Sequence, residues 1–187
     1  KKWTWFNVNK DFRHILFIML NTGMRGGEVI QMKWKKGTTD HGKPKIPYVY
    51  LNRNMTSVII YFKRTLAELE LPENITDLLK ERRKIHGKHK FVFHNSLTNG
   101  HLRTEWLSKN FRRLCNGLGL VDKDTQQSLF TPHSVRHGVI SELLNQGVKI
   151  EEISKTIARH SDIGTTYNIY GHMQKGQGKS ILERLNK

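Results

Sequence analysis

Cysteine is nearly missing from this chain. Cys115 stands alone among 187 residues, which excludes an intrachain disulfide and points to a reducing, intracellular setting. Long hydrophobic runs are missing too: the longest purely apolar stretch, Ile15–Leu20, falls far short of the roughly 20 residues needed to span a bilayer. With no signal-peptide pattern at the start and no basic amphipathic anchor, a membrane partner is not expected. The Asn54 and Asn74 glycosylation triplets therefore carry no meaning. Acidic residues are scarce, 16 against 32 lysines and arginines, giving a formal charge of +16 and a pI near 10.1. Such a balance suits a polyanion, and nucleic acid is the first candidate partner. Internal repeats and low-complexity tracts are also absent.

What is present reads as one domain of ordinary size, mainly α with a small antiparallel β-sheet (α+β). Ile15, Leu16, Ile18, Met19 and Leu20 form a buried helix, capped by Asn9 or Asp11 and stopped by Gly23. Glu28, Val29, Ile30 and Met32 continue as a second short helix, and Lys35–Lys45 reads as a loop. Ile46–Leu51, Ser57–Lys63 and Leu66–Leu71 are rich in β-branched and aromatic residues and read as strands. After Pro72, helices are expected over Glu73–Lys84 with a basic end, roughly 101–117, 132–146, 150–158 and near 179–186. Phe91-Val92-Phe93 is a brief apolar segment. Cys115 reads as apolar filler beside Phe111 and Leu114. The abrupt opening Lys1-Lys2-Trp3-Thr4-Trp5 suggests a domain excised from a longer protein.

Three segments carry chemistry. Asn21-Thr22-Gly23-Met24-Arg25-Gly26-Gly27-Glu28 places an arginine at a glycine-flanked turn between apolar helices, where a buried charge needs a partner or a substrate; Glu28, one turn on, can hold it. His133-Ser134-Val135-Arg136-His137 sets His133 and Arg136 three residues apart on a helix, so both can meet one small anion. A phosphodiester under attack gains negative charge on its nonbridging oxygens, and guanidinium groups answer it with a planar fork of donors that stays protonated. Arg25 and Arg136 are the pair suited to that task. A zinc reading of His133 and His137 fails because Ser134 stands where the metalloprotease motif needs glutamate, and His137 reads as structural. Further on, His160 is followed by Tyr167 and Tyr170. A phenol can attack phosphorus if an electropositive pocket or a base offsets its ordinary pKa near ~10; spacing alone leaves the choice between the two tyrosines open.

At these segments the chain resembles the catalytic domain of the tyrosine recombinases, the integrases of phages and mobile elements. The resemblance runs in order from about Asn9 to His172. Thr22–Glu28 is similar to the family's first arginine box, Thr131–His137 to its His-x-x-Arg box, and Arg159–His172 to the third histidine box running into the nucleophile segment. The resemblance implies that Tyr170, followed by Gly171 and His172, is the nucleophile, and that Arg25, His133, Arg136 and His160 surround the scissile phosphate. It also implies a general-acid lysine on a β-hairpin, for which Lys63 is the best match, with Lys43, Lys45 and Arg64 as competitors. Arg159 departs from the family, which has glycine there.

What the resemblance implies is a single catalytic domain over residues 1–187, acting on double-stranded DNA without metal or other cofactor. The family's N-terminal DNA-clamping domains would lie outside this chain. In the full-length protein a homotetramer on paired sites is expected, with the tail 173–187 docking on a neighbouring subunit. The setting would be cytoplasmic and nucleoid-associated, in a bacterium or its phage. Two rivals are a DNA-binding module of the same fold without catalysis and a type IB topoisomerase-like relaxing enzyme.

Overall fold

The computed structural model describes residues 8–35, 48–62 and 65–158, together with 164, 166, 168 and 170. Chain contacts divide it into two units, Lys1–Arg136 and His137–Lys187.

In the first unit, α1 (Lys10–Thr22) starts where Asn9 Oδ1 accepts hydrogen bonds from the backbone N–H groups of Asp11 (2.9 Å) and Phe12 (3.2 Å), a cap worth about 1 kcal/mol. It stops at Gly23, whose φ of 63° lets its N–H reach back to the Met19 carbonyl at 2.9 Å. A residue with a side chain enters that left-handed conformation only at a cost, and this is the point where the chain must turn. Phe12, Ile15, Ile18 and Met19 face inward from α1 and are essentially inaccessible. They meet Val29 and Ile30 from α2 (Gly26–Ile30) in the main apolar cluster. Cys115 lies buried in that cluster beside Leu114, as its surroundings in the sequence suggested.

The sheet has four strands in the order β1 (Met32–Lys33), β2 (Tyr48–Leu51), β3 (Ser57–Phe62) and β4 (Thr65–Glu70). β2–β3 and β3–β4 pair antiparallel, as expected, but β1 pairs parallel with β2, Met32 opposite Val49, so the sheet is mixed. Met32 therefore leaves the second helix rather than continuing it. A parallel pair needs a crossover of a dozen or more residues, and the connection 34–47 has that length.

α3 (Glu73–His86) and α4 (Thr104–Gly117) complete this unit. Gly26 packs so closely on α4 that an added Cβ would fall 2.5 Å from Leu107 Cδ2. The basic end expected of α3 is there, with Arg83, Lys84 and His86 in its last turn, and just before it Arg82 is only 3% exposed. Its Nε donates to the Val92 carbonyl at 2.8 Å, its Nη2 pairs with Asp11 at 2.7 Å, and its guanidinium lies over the Phe93 ring. Burial pulls its pKa below the ordinary arginine value, and Asp11 opposes that.

α5 (Pro132–Asn145) begins on Thr131 with proline at its first helical position. Ser134 Oγ accepts from the Thr131 N–H at 3.1 Å, and the Ser134 N–H donates to the Thr131 carbonyl at 3.0 Å. In the second unit, α6 (Ile150–Ile153) runs into a π-helical turn, Ser154–Ala158. Ile140 and Leu144 pack with Ile150, Ile153 and Tyr170 in a smaller apolar cluster. No helix among the described residues is long and apolar enough to cross a membrane.

Candidate active site

The first arginine stands where its sequence context placed it. Arg25 is the extended N-cap residue of α2, with φ −67° and ψ 141°. Glu28 accepts from the Arg25 backbone N–H at 2.8 Å through Oε2 and from the guanidinium Nη1 at 3.2 Å through Oε1. One carboxylate thus satisfies an orphan donor at the helix start and holds the arginine head. The Arg25 side chain keeps 33% of its exposure and Glu28 13%, so the charge is oriented yet reachable.

The second arginine, Arg136, is 2% exposed. Its Nη1 donates to the Gly23 carbonyl at 2.7 Å, across 113 residues of sequence. Gly23 is the residue that ends α1, and Arg25 lies two positions beyond it. The bond therefore fastens the helix carrying the His-x-x-Arg segment to the turn carrying the first arginine. A buried guanidinium left without acceptors would cost several kcal/mol, so the carbonyl stabilises the arginine as much as the arginine fixes the turn. His133, one turn earlier on α5, is exposed, whereas Arg136 is buried.

In the second unit, Tyr170 is 4% exposed and belongs to the apolar cluster of Ile140 and Ile153. Its hydroxyl hydrogen-bonds to His137 Nδ1. The helical residues around it are tied down by Thr166, whose Oγ1 donates to Ser154 Oγ at 3.1 Å, both groups being buried. The π-helical turn thereby supplies an anchor for the tyrosine's own segment, and such turns recur at functional sites.

Of the six residues singled out from sequence, the structure describes Arg25, His133, Arg136 and Tyr170. Lys63 and His160 lie outside the described residues, as do Arg64, Arg159, Tyr167, His172 and the tail 173–187. Two contacts were not read from the sequence. His137, which read as structural, hydrogen-bonds the Tyr170 hydroxyl; its place directly after Arg136 was the available signal. Gly23 read only as a helix stop, and a role for its carbonyl leaves no mark on residue identity.

The profile of the Phage integrase family matches residues 8–177. A probable integrase/recombinase of Methanocaldococcus jannaschii is 32% identical over 172 residues, covering 91% of this chain and 48% of the relative. The chain thus spans about half the length of that curated relative. Among solved structures, the XerH site-specific recombinase bound to its difH substrate before cleavage superposes with a TM-score of 0.67 at 21% identity, over 97% of this chain and 48% of that one. The catalytic domain of bacteriophage HP1 integrase superposes with a TM-score of 0.53 at 17% identity, over 94% of this chain and 82% of that one. At these identities the superpositions speak for the fold, and the profile match and the archaeal relative for descent: the chain belongs to the Phage integrase family.

Proposed function

We propose that this chain is the catalytic core of a site-specific recombinase that breaks and rejoins strands of double-stranded DNA through a covalent tyrosine intermediate. The observation that carries the reading is the 2.7 Å hydrogen bond from Arg136 Nη1 to the Gly23 carbonyl, which binds the two arginine segments together. Arg25 and Arg136 hold the nonbridging oxygens of the scissile phosphate as charge develops there. The Tyr170 Oη attacks phosphorus, a bond from Oη to phosphorus forms, and the bond to the 5′ oxygen breaks. His133 and His160 hydrogen-bond the phosphate and carry the phenolic proton away. Lys63 gives the departing 5′ oxygen its proton, leaving a free 5′ hydroxyl and a 3′-phosphotyrosine.

Guanidinium groups neutralise the phosphate in this scheme, so it needs no divalent metal. The covalent link conserves the phosphodiester energy, and another 5′ hydroxyl can reverse the step without ATP. The hydrogen bond between Tyr170 and His137 supports Tyr170 as the nucleophile, because it ties that phenol to the residue next to Arg136. The phenol is also buried, so it has to be uncovered before it can attack. The full-length protein would assemble as a homotetramer on two DNA sites, with the tail 173–187 docking on a neighbour, in the compartment that holds the host DNA.

The test is a nicked suicide DNA substrate incubated with the protein in EDTA and run on a denaturing gel. A covalent adduct is expected from the unmodified chain and from Tyr167→Phe, and none from Tyr170→Phe. Salt-sensitive binding without adduct would indicate a non-catalytic module, and relaxation of supercoils by a monomer would indicate a topoisomerase.

A further inference from the structure

Away from the arginines and the tyrosine, three histidines gather where α3 ends. His86 is the last residue of that helix, His89 lies in the turn after it, and His94 sits in the segment running antiparallel beside residue 101. One ring nitrogen from each can be chosen so that all three lie within 4.8 Å of one another. The His89 and His94 rings are stacked, centroids 3.6 Å apart and planes 12° apart, and His86 lies 5.2 Å from His94. His94 Nδ1 is buried and has no hydrogen-bond partner among the described residues. An orphaned buried polar atom costs about 1–3 kcal/mol, and a ligand that takes its lone pair removes that cost.

We propose that His86, His89 and His94 form a binding site for one transition-metal ion of the zinc, cobalt or nickel type. Three imidazoles are borderline nitrogen donors, which suit these ions rather than magnesium or calcium. Tetrahedral zinc with bonds of about 2.0–2.1 Å holds its nitrogens about 3.4 Å apart, a contraction that rotation of the half-exposed rings can supply. Three protein ligands leave a fourth position for water or another donor. Arg82 and Asp11, whose charges act on His86 and His94, form an ion pair with each other, and Lys10 also acts on His86.

The site would act as a clamp. The segment it grips is already bound to the sheet, with the Val92 N–H donating to the Met32 carbonyl at 2.9 Å, and to α3 through Arg82 and the Val92 carbonyl. Bound metal would lock the end of α3 to the strand that follows the first arginine's helix. The ligands belong to neither arginine segment, so this inference stands apart from the strand-transfer reading, which is tested in EDTA.

The experiment titrates the untagged 187-residue chain with CoCl2, followed by visible absorption, and with ZnCl2, followed by melting temperature. Saturation near one equivalent and a rise in melting temperature are expected. His89→Ala should raise the metal concentration required at least about tenfold, since even outer-shell partners of a metal ligand are worth that much. The double variant His133→Ala/His137→Ala, which removes the competing pair on α5, should leave the titration unchanged. No saturable binding, equal binding by His89→Ala, or loss only in the α5 variant would each overturn the site. Should His89→Ala unfold, zinc protection of the three rings from diethyl pyrocarbonate in the unmodified protein decides the matter: protection supports the site, and full reactivity rejects it.

Discussion

In the proposed reaction Arg136 has two tasks that lysine cannot perform together. One guanidinium nitrogen donates to the Gly23 carbonyl, and the proposed phosphate contact asks the same planar fork for a second donor. An ammonium reaching the same carbonyl presents no second, coplanar donor. Arg136→Lys is therefore expected to slow adduct formation on the suicide substrate about 10²–10³-fold, the usual effect of losing one donor to a charged transition state. Cleavage at the unmodified rate would refute the fork. His137 and Tyr170 make a second residue-scale case, because the phenol is buried and hydrogen-bonds the imidazole. His137→Ala and Tyr170→Phe should be non-additive in urea unfolding, with a coupling of about 1 kcal/mol; strict additivity would mean that the contact contributes nothing to stability. At this scale the sequence was legible wherever chemistry follows residue type, as at Arg25 with Glu28. It was not where the partner is a carbonyl, as at Gly23, or where a charged side chain is buried by distant groups. The burial of Arg82 left no sign in the sequence because its partners, Asp11 and the Val92 carbonyl, are far away along the chain.

At the scale of elements, local signals held and non-local ones did not. Asn9 capping α1, Gly23 ending it, and Thr131-Pro132 opening α5 were readable because each rests on a few neighbouring backbone groups. The assignment of Met32 to a helix failed because its fate depends on pairing with Val49, which no periodicity around residue 32 encodes. The same locality makes Gly23 a sharp test. Its φ of 63° costs a residue with a Cβ about 1–2 kcal/mol, so Gly23→Ala should lower unfolding free energy by roughly that amount in urea. It should also depress cleavage, since the displaced carbonyl is the one that holds Arg136. An alanine variant as stable as the original would mean that the turn relaxes without strain.

For the whole molecule, the governing quantity is charge. In the proposed complex with DNA, a balance of +16 makes phosphate neutralisation the main source of affinity, and each neutralised phosphate releases condensed counterions. Binding to a nonspecific duplex should weaken about 10³–10⁵-fold between 50 and 200 mM salt if six to ten phosphates are engaged, as read by fluorescence anisotropy. A flat salt response would show that the basic residues do not form a DNA-binding surface. Excess charge of this kind was legible from composition, whereas how the two apolar clusters divide the chain was not, because the division falls inside α5, which reads as one continuous helix.

The acceptor that receives Arg136 is part of the polypeptide backbone, and this limits how the site can vary. Every amino acid carries the same carbonyl, so no point replacement at position 23 can delete it; a replacement can only move it. Diversification of this region is thus confined to sequences that keep the path of the chain from 22 to 25, and a transplanted loop of different length would disarm the second arginine while leaving every side chain of the site in place.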